Sequence, residues 1–371
     1  MHSKIIPEGF QDDVTSQVST EHKFKNLMID HFQFFGFQLV KTPLIEFHNS
    51  EIDDNVFKIV VKKNEKKLFI RDDITLQVAR LSKTRLSNKH RPLKLCYYGE
   101  VARKKGTMLR PERQFLQIGA ECIGESSYLA DLEMIDLAYS SLSLVGIKNI
   151  TLEISSRIFF DRFINLIKNF KNINEIKKLI KLKDLNGLLK ILDKEKYKYI
   201  KDLFSCTGIY KNKIQNLNKL EVDKKTSEEI NNIKKIIKAF SFMNQNVNIF
   251  LDLCEIDDKN YHSGIRFTFF AKNVRGEIAR GGRYFVKNSK QNNEATGFTC
   301  YMDSILRASS TTIKQKKIMV PFDTSKTKIK ALITKDFIVI RHFSNLKDIK
   351  QIAKDKNFKF YLENNTVKSL A

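Results

Sequence analysis

Two short stretches contain the residue types best suited to binding a small polar molecule. The first, residues 280–284, reads Arg-Gly-Gly-Arg-Tyr. Its glycine pair lets the backbone approach a neighbour or a ligand closely, where a Cβ atom would collide. The arginines on both sides supply fixed, forked donors that suit a carboxylate or a phosphate. This stretch therefore favours recognition of a polar or anionic group held close to the main chain.

The second stretch, residues 114–122, alternates between two faces as a β-strand does. One face is apolar, and the other carries Phe115, Gln117, Gly119 and Glu121. Two long polar groups that flank a glycine predict the floor of a small polar pocket. An edge strand with a solvated face and a bulge at Gly119 explains this run alone equally well.

Length and composition limit the possible classes of protein. A chain of 371 residues suggests two or three structural units. It contains no apolar run of the roughly 18 residues that a membrane helix needs, and its N-terminus lacks the apolar core of a signal sequence. The five cysteines are scattered, without Cys-x-x-Cys or His-x₃-His spacing, so neither a disulfide framework nor a zinc site is supported. We expect a cytoplasmic protein without a membrane segment, a metal or another cofactor.

The net charge of +24 raises the question of nucleic-acid binding. The excess is mostly lysine, mixed with asparagine and isoleucine along the whole chain rather than gathered beside aromatic residues. Lysine-rich faces are usually solvated, so we interpret the charge as compositional drift.

Hydrophobic periodicity predicts an α+β fold with a mixed, mainly antiparallel sheet. Helices are predicted over residues 20–35, 71–85 and 126–146, the last with a stripe formed by Leu129, Leu132, Ile135, Tyr139 and Leu142. Strands are predicted over residues 37–40, 57–61, 68–70, 93–98, 114–123, 150–154, 247–253, 265–271 and 297–301.

The same patterns divide the chain into two domains. Residues 1–310 form the core, and a lysine-rich, helical stretch at about residues 157–245 is predicted as an insertion into it. After a polar linker, residues 315–371 form a small C-terminal α/β domain. Its predicted elements are strands at 318–321 and 337–340, a helix at 346–354 and a hairpin near Asn364 and Asn365.

Four blocks in this order, residues 68–75, 92–124, 261–267 and 280–284, together resemble the catalytic core of histidyl-tRNA synthetase, a class II synthetase. The resemblance covers roughly residues 7–306 and implies a class II α+β core that forms a twofold dimer. Residues 71–80, the Tyr-His-Ser-Gly run that starts at Tyr261, and the Arg-Gly-Gly-Arg-Tyr run resemble more closely the synthetase paralogue that regulates ATP phosphoribosyltransferase.

The departures from the synthetase pattern concern ATP. Synthetases stabilise the charge that develops on the α-phosphate with positioned arginines. Arg103 keeps the arginine of the second class motif, but Ser304 stands where the third-motif arginine is expected, and Tyr301 replaces a glycine that leaves room for the nucleotide. Residues 254–263 contain no arginine where a further catalytic one is expected, and offer Asp257 and Asp258 instead. The residues after 314 are also too few for an anticodon-binding domain, which needs on the order of 100. The resemblance thus implies that adenylate chemistry is lost.

The part of the synthetase pocket that binds the amino acid is retained more fully than the part that binds ATP. By position, Asp73 and Thr75, with Gln117 nearby, correspond to residues at the histidine ammonium group, and Glu121 corresponds to an imidazole contact. An acid suits each end, because the ammonium is cationic and the ring N–H is a donor. Asp73 is one methylene shorter than the usual glutamate, and His262 stands where a pocket tyrosine is expected. The resemblance implies a histidine-like pocket of nine residues: Asp73, Thr75, Arg103, Arg113, Gln117, Glu121, Tyr261, His262 and Tyr284. The same groups could also be kept for the fold, as paired buried polar residues.

The function implied is regulatory rather than enzymatic. The chain would be the non-catalytic subunit that activates a short-form ATP phosphoribosyltransferase catalytic subunit and confers histidine feedback control on the first step of histidine biosynthesis. It would act as a homodimer within a hetero-oligomer, and whether histidine binds this chain or its partner stays open. The alternatives are a divergent histidyl-tRNA synthetase and an RNA-binding paralogue, the latter supported only by the net charge.

Overall fold

The computed structural model describes residues 5–47, 55–60, 67–168, 170, 172–245, 247–255, 262–286, 293–310, 316–343 and 348–370. The chain forms two compact units, Met1–Thr311 and Thr312–Ala371. Within the described ranges, no helix is both long enough and apolar enough to cross a membrane. In the same ranges, no group of three or more His, Cys, Asp or Glu side chains is placed to hold a metal ion. All five cysteines are buried and free.

The first unit is built on strands that form one large and one small sheet. In chain order they are β1 (Gln38–Leu39), β2 (Ile45–Phe47), β3 (Phe57–Ile59), β4 (Leu68–Ile70), β5 (Leu93–Ala102), β6 (Gln114–Ile123), β7 (Ile150–Ser156), β8 (Gly208–Ile209), β9 (Asn248–Leu251), β10 (His262–Ala271), β11 (Ala279–Val286) and β12 (Asn293–Tyr301). The large sheet has the order β1-β5-β6-β12-β11-β10-β7-β9-β8, and the small one β2-β4-β3. Pairs β1/β5 and β7/β9 are parallel and the others antiparallel, as the mainly antiparallel prediction requires.

Helices pack on both faces of the large sheet. The helices of this unit are α1 (Ser16–Phe34), α2 (Thr75–Lys83), α3 (Tyr128–Leu144), α4 (Arg157–Ile167), α5 (Ile173–Lys181), α6 (Leu185–Ile191), α7 (Lys194–Ser205), α8 (Tyr210–Asn218), α9 (Lys224–Met243) and α10 (Met302–Ala308). Helices α4–α9 lie in the lysine-rich stretch predicted as an insertion, which the chain enters from β7 and leaves into β9. Phe32 of α1 and Met134 of α3 share the main core with Ile118 and Ala120 of β6. The apolar face of β6 is therefore the core face, whereas Val78 of α2 packs with Tyr97 on the other face.

Strand β6 lies inside the sheet rather than at its edge. It pairs with β5 on one side and β12 on the other, with Gly119 opposite both Tyr97 and Thr299 in an unshifted register. The alternative of an edge strand with a bulge at Gly119 is therefore wrong. Strand β5 also continues through Gly99, where the prediction ended it. A Cβ atom at this position would lie 2.0 Å from a guanidinium nitrogen of Arg71, so a larger residue would displace the end of that buried arginine.

Other local predictions were wrong at element ends. Helix α1 begins at Ser16 rather than at residue 20, and α2 begins at Thr75 rather than at residue 71. Strand β2 was not predicted. Leu129, assigned to the apolar stripe of α3, is 57% exposed in the first turn, where Ser127 Oγ accepts a hydrogen bond from the Leu129 N–H at 3.2 Å.

The second unit is a four-stranded sheet with two helices. Its elements are β13 (Lys316–Pro321), α11 (Lys326–Ile333), β14 (Phe337–His342), α12 (Ile349–Asp355), β15 (Phe360–Glu363) and β16 (Thr366–Ser369), and the sheet order is β14-β13-β15-β16. Asn364 and Asn365 both have positive φ, 47° and 57°, which suits the tight turn of the predicted hairpin. Helix α11 was not predicted.

Candidate functional site

The register of the large sheet aligns polar side chains on the face opposite the core. Tyr97, Gly119, Thr299 and Arg280 are successive partners from β5 through β6 and β12 to β11. In the neighbouring row, Glu121 faces Gly297, which in turn faces Gly282. We call this surface the site face.

Glu121 is a completely buried acid at the centre of the site face. The Tyr284 hydroxyl donates to Oε2 at 2.9 Å, and the Tyr97 hydroxyl donates to Oε1 at 3.3 Å. Burial raises the pKa of Glu121 to about 8, although the hydrogen bond from Tyr284 acts in the opposite direction. A Cβ atom on Gly297 would lie 1.8 Å from Oε2, so that glycine is what makes room for the carboxyl group.

The space above Gly119 is filled by Tyr97. A Cβ atom at Gly119 would lie 2.4 Å from the Tyr97 hydroxyl oxygen. That oxygen lies 2.8 Å from Thr299 Oγ1 and 3.1 Å from Thr75 Oγ1. A ligand that lay directly over Gly119 would have to displace the Tyr97 ring. Sequence patterns did not indicate Tyr97 or Thr299 as pocket residues, because their place on this face follows from strand register alone.

Asp73 joins the start of α2 to β6. Its Oδ1 accepts a hydrogen bond from the Thr75 N–H at 2.8 Å, and its Oδ2 accepts from the Gln117 side chain at 3.1 Å. Gln117 Oε1 accepts in turn from the Ile74 N–H at 3.2 Å. Gln117 is completely buried, whereas Asp73 and Thr75 are half-buried and form the accessible rim of the cluster.

Arg103 lies at the Phe115 end of the site face. Its guanidinium carbon is 5.0 Å from the centre of the Phe115 ring, and its Nε donates to the Asp72 carbonyl at 3.5 Å. The half-buried Arg103 side chain thus remains beside the rim formed by Asp73.

The structure does not bring Arg113 into the cluster. Its Nη1 donates to the Glu8 carbonyl at 2.8 Å, and its Nε donates to the Arg103 carbonyl at 3.1 Å. The guanidinium carbon lies 5.0 Å from the ring centres of both Phe10 and Phe57. These contacts tie the segment before α1 to the β5–β6 loop.

His262 opens β10 opposite Tyr284. Its half-buried ring covers Gly282, where a Cβ atom would come within 2.9 Å of the ring carbon Cδ2. The protein's own imidazole therefore lies on the site face beside Tyr284. Tyr261, Asp257 and Asp258 fall outside the described residues.

The end of the site face beyond Gln117 is occupied by a stacked arginine. The guanidinium carbon of Arg110 lies 3.7 Å from the centre of the Tyr301 ring. Its Nε lies 3.3 Å from Asp303 Oδ2, and its Nη2 donates to the Glu277 carbonyl at 2.8 Å. Ser304, completely buried, offers its hydroxyl oxygen to the same Nη2 at 3.4 Å. Arg110 Nη1 also lies 3.5 Å from Glu277 Oε1. A phosphate chain placed here would displace Arg110 and face the carboxylates of Asp303 and Glu277.

Comparison with known proteins matches the first unit and the larger part of the chain. The family model for histidyl-tRNA synthetase matches residues 9–305. A protein of Rhodospirillum centenum named ATP phosphoribosyltransferase regulatory subunit is 28% identical over 86% of this chain and 84% of its own length. A protein of the same name from Paramagnetospirillum magneticum is 27% identical over 91% of this chain and 90% of its own.

Solved structures show the same fold. A Bacillus halodurans protein described as an ATP phosphoribosyltransferase regulatory subunit/histidyl-tRNA synthetase superposes with a TM-score of 0.79 at 20% identity, over 97% of each chain. Histidyl-tRNA synthetase from a Nostoc species superposes with a TM-score of 0.76 at 17% identity, over 98% of this chain and 92% of its own. At these identities the likeness establishes the class II synthetase fold, as predicted.

Proposed function

This chain belongs to the histidyl-tRNA synthetase family, and from that premise we propose that it is the non-catalytic regulatory subunit of ATP phosphoribosyltransferase. In this role it is required for the activity and the histidine feedback control of the first step of histidine biosynthesis. The relatives that carry this name are similar over most of their length.

The observation that carries the non-catalytic part is the stacking of Arg110 on Tyr301. Adenylate formation needs cationic groups that face the α-phosphate. At this end of the site face the arginine is instead paired with Asp303 and donates to the Glu277 carbonyl. Ser304 contributes only a hydroxyl group. The alternative of a divergent histidyl-tRNA synthetase requires ATP to bind against this arrangement, which makes it the weaker candidate.

The partner in this proposal is a separate, short-form catalytic subunit, and this chain forms a homodimer within the hetero-oligomer. Residues 34–47 support the dimer, because they expose an unusual density of large apolar side chains. Six of them are at least 43% exposed: Phe34, Phe35, Leu39, Leu44, Ile45 and Phe47. In a protein of this family, burying such a surface against a second copy is the simplest role for it.

The histidine-like pocket is the effector site in this proposal. Asp73 and Thr75 form its accessible rim, and Glu121 with Tyr284 forms its floor. Because Tyr97 and His262 cover the glycines of the site face, binding would require these rings to move. In this proposal the movement of the rings favours a different arrangement of the same complex, because linkage requires that histidine bind the two arrangements with different affinities.

The test of the regulatory function is a titration of the catalytic subunit with this chain. The rate of phosphoribosyl-ATP formation should rise with added chain until all of the catalytic subunit is in the complex. Histidine should inhibit only the assembled complex. A coupling of about 1–3 kcal/mol would appear as a change of roughly 5–150-fold in affinity. A catalytic subunit equally active and equally inhibited without this chain would end the proposal.

The effector site is tested separately by calorimetry with histidine on the complex. Asp73→Asn should weaken binding about tenfold or more, since it removes the charge that faces the ammonium group. The matched control is Asp12→Asn, at an exposed position away from the cluster. Equal dissociation constants for the two variants would remove Asp73 from the site.

A further inference from the structure

A zwitterionic amino acid needs three kinds of partner in a buried pocket. Its ammonium group needs an anion, its polar side chain needs a matched hydrogen-bonding group, and its carboxylate needs a cation or several donors. Asp73 and Glu121 meet the first two needs of the ligand proposed above. Resting on that proposed pocket, we infer that Arg280 binds the ligand carboxylate and makes the site selective for an intact α-amino acid.

Strand register places Arg280 beside the pocket. It lies directly opposite Thr299, whose hydroxyl contacts the Tyr97 hydroxyl, and Thr299 lies opposite Gly119. Neighbouring strands are about 4.8 Å apart, so the backbone of Arg280 is roughly 10 Å from Gly119 on the same face. An amino acid bound by Asp73 and Glu121 would lie on this same face. To reach its carboxylate, the Arg280 side chain would turn from Glu255 towards β12.

Exposure distinguishes Arg280 from the other described arginines of β10 and β11. Arg266 is 1% exposed, with Nη2 at 3.0 Å from Glu255 Oε2 and 2.8 Å from the Glu255 carbonyl oxygen. Arg283 points to the opposite face and pairs with the buried Asp131 at 2.8 Å. Arg280 keeps one third of its side chain exposed (33%). Among these three it is the cation that a ligand on the site face can reach.

Glu255, which contacts Arg280, has other donors that it would keep if Arg280 turned to a ligand. Arg280 Nη2 lies 3.3 Å from Glu255 Oε1, a longer contact than the 3.0 Å between Arg266 Nη2 and Glu255 Oε2. Glu255 also accepts a hydrogen bond from Ser155 Oγ at 2.7 Å. If Arg280 turns to a ligand, Glu255 retains Arg266 and Ser155, so no buried charge is left alone.

Arginine rather than lysine suits this role. Its planar fork can bind a carboxylate through two parallel hydrogen bonds, which fixes the direction of the ligand as well as its charge. The site should therefore discriminate against ligands that keep the imidazole and the ammonium group but lack the carboxylate.

The experiment compares two ligands by calorimetry on the complex of this chain with its catalytic subunit. The ligands are L-histidine and L-histidinol, in which an alcohol replaces the carboxylate. Arg280→Gln should weaken histidine about tenfold or more and leave histidinol within twofold, and Arg280→Lys should restore part of the loss. The matched control, Arg275→Gln, removes an exposed arginine from the turn between β10 and β11 and should change neither ligand.

The outcomes separate the alternatives. Equal weakening of both ligands would show that Arg280 only supports the fold of the pocket and would overturn the inference, as would unchanged binding of histidine. If the wild-type complex binds neither ligand, the histidine pocket and the role of Arg280 both fail. Activation of the catalytic subunit, measured in the titration described above, is independent of that result.

Discussion

The Tyr284 hydroxyl donates a hydrogen bond of 2.9 Å to Glu121, and both side chains lie beyond the reach of solvent. Two opposing effects determine the pKa of a carboxyl group in this position. Burial disfavours its charge, whereas hydrogen bonds from the two tyrosines favour it. Burial is the larger effect, and it raises the pKa of Glu121 to about 8. The folded protein therefore keeps Glu121 protonated at neutral pH.

Glu121→Gln should flatten the dependence of stability on pH. The pKa of Glu121 rises from 4.5 to about 8 on folding, so the contribution of this group to the free energy of unfolding is complete below pH 4.5 and is lost as pH rises through 8. At about 1.4 kcal/mol per pH unit, the upper limit of this loss is roughly 5 kcal/mol. Glutamine carries no proton to lose, so urea unfolding at pH 5, 6.5 and 8.5 should show a smaller decline in the variant.

The control for this prediction is Glu228→Gln, at an exposed position in the second turn of α9. It should keep the wild-type slope. Glu153, whose pKa burial raises to about 7, contributes a residual slope of the same sign in every protein of the set. Parallel curves for wild type and Glu121→Gln would contradict the assignment of the proton to Glu121.

Gly119→Ala should destabilise the fold, because the new methyl group would meet atoms that cannot move easily. A Cβ atom there would lie 2.4 Å from both the Phe298 carbonyl oxygen and the Tyr97 hydroxyl oxygen. Overpacking of this kind costs about 1–3 kcal/mol. Gly264→Ala is the matched control, because its nearest neighbour, Arg283 Cδ, is 3.4 Å away. The two variants are compared by urea unfolding. Equal losses in the free energy of unfolding would refute the close packing at Gly119.

The purified chain should form no histidyl-adenylate. The physical reason is that a nucleotide would have to displace Arg110 from Tyr301 and then face the carboxylate of Asp303. Histidine-dependent exchange of pyrophosphate into ATP should stay at background, with an authentic histidyl-tRNA synthetase assayed alongside as the positive control. Exchange clearly above background would show that the chain is an active synthetase and would contradict the non-catalytic role.

Phe34→Glu should dissociate the proposed dimer. Phe34 is 88% exposed at the end of α1, within the apolar surface of residues 34–47, and a charge placed there would have to be buried without a partner. Size-exclusion chromatography with light scattering should give a dimer for wild type and a monomer for the variant. Phe242→Glu, at a residue 85% exposed near the end of α9, should leave the dimer intact. A wild-type monomer at micromolar concentration would argue against the dimer itself.

Local pattern was sufficient to predict much of this protein. Period-two alternation placed Gln117 and Glu121 together on one face of β6 and Ile118 and Ala120 on the other, because strand geometry depends only on neighbouring residues. Helical periodicity located α3, and the paired asparagines located the last hairpin. The order of the sequence blocks was enough to identify the family.

Tertiary structure decided what lies over the glycines. The residues near Gly119 in the sequence do not predict its contact with Tyr97, which lies on the neighbouring strand β5. Nor do they predict the pairing with Thr299, which is 180 residues further along the chain. The same is true of Arg110, which reaches Tyr301 across the first unit. A strand pattern specifies which face a side chain occupies, but the choice of neighbouring strand and register is a long-range packing decision. The sequence suggested that the glycines form the open floor of a pocket. Because of the strand pairing, they are instead covered by the protein's own tyrosine, histidine and carboxyl groups.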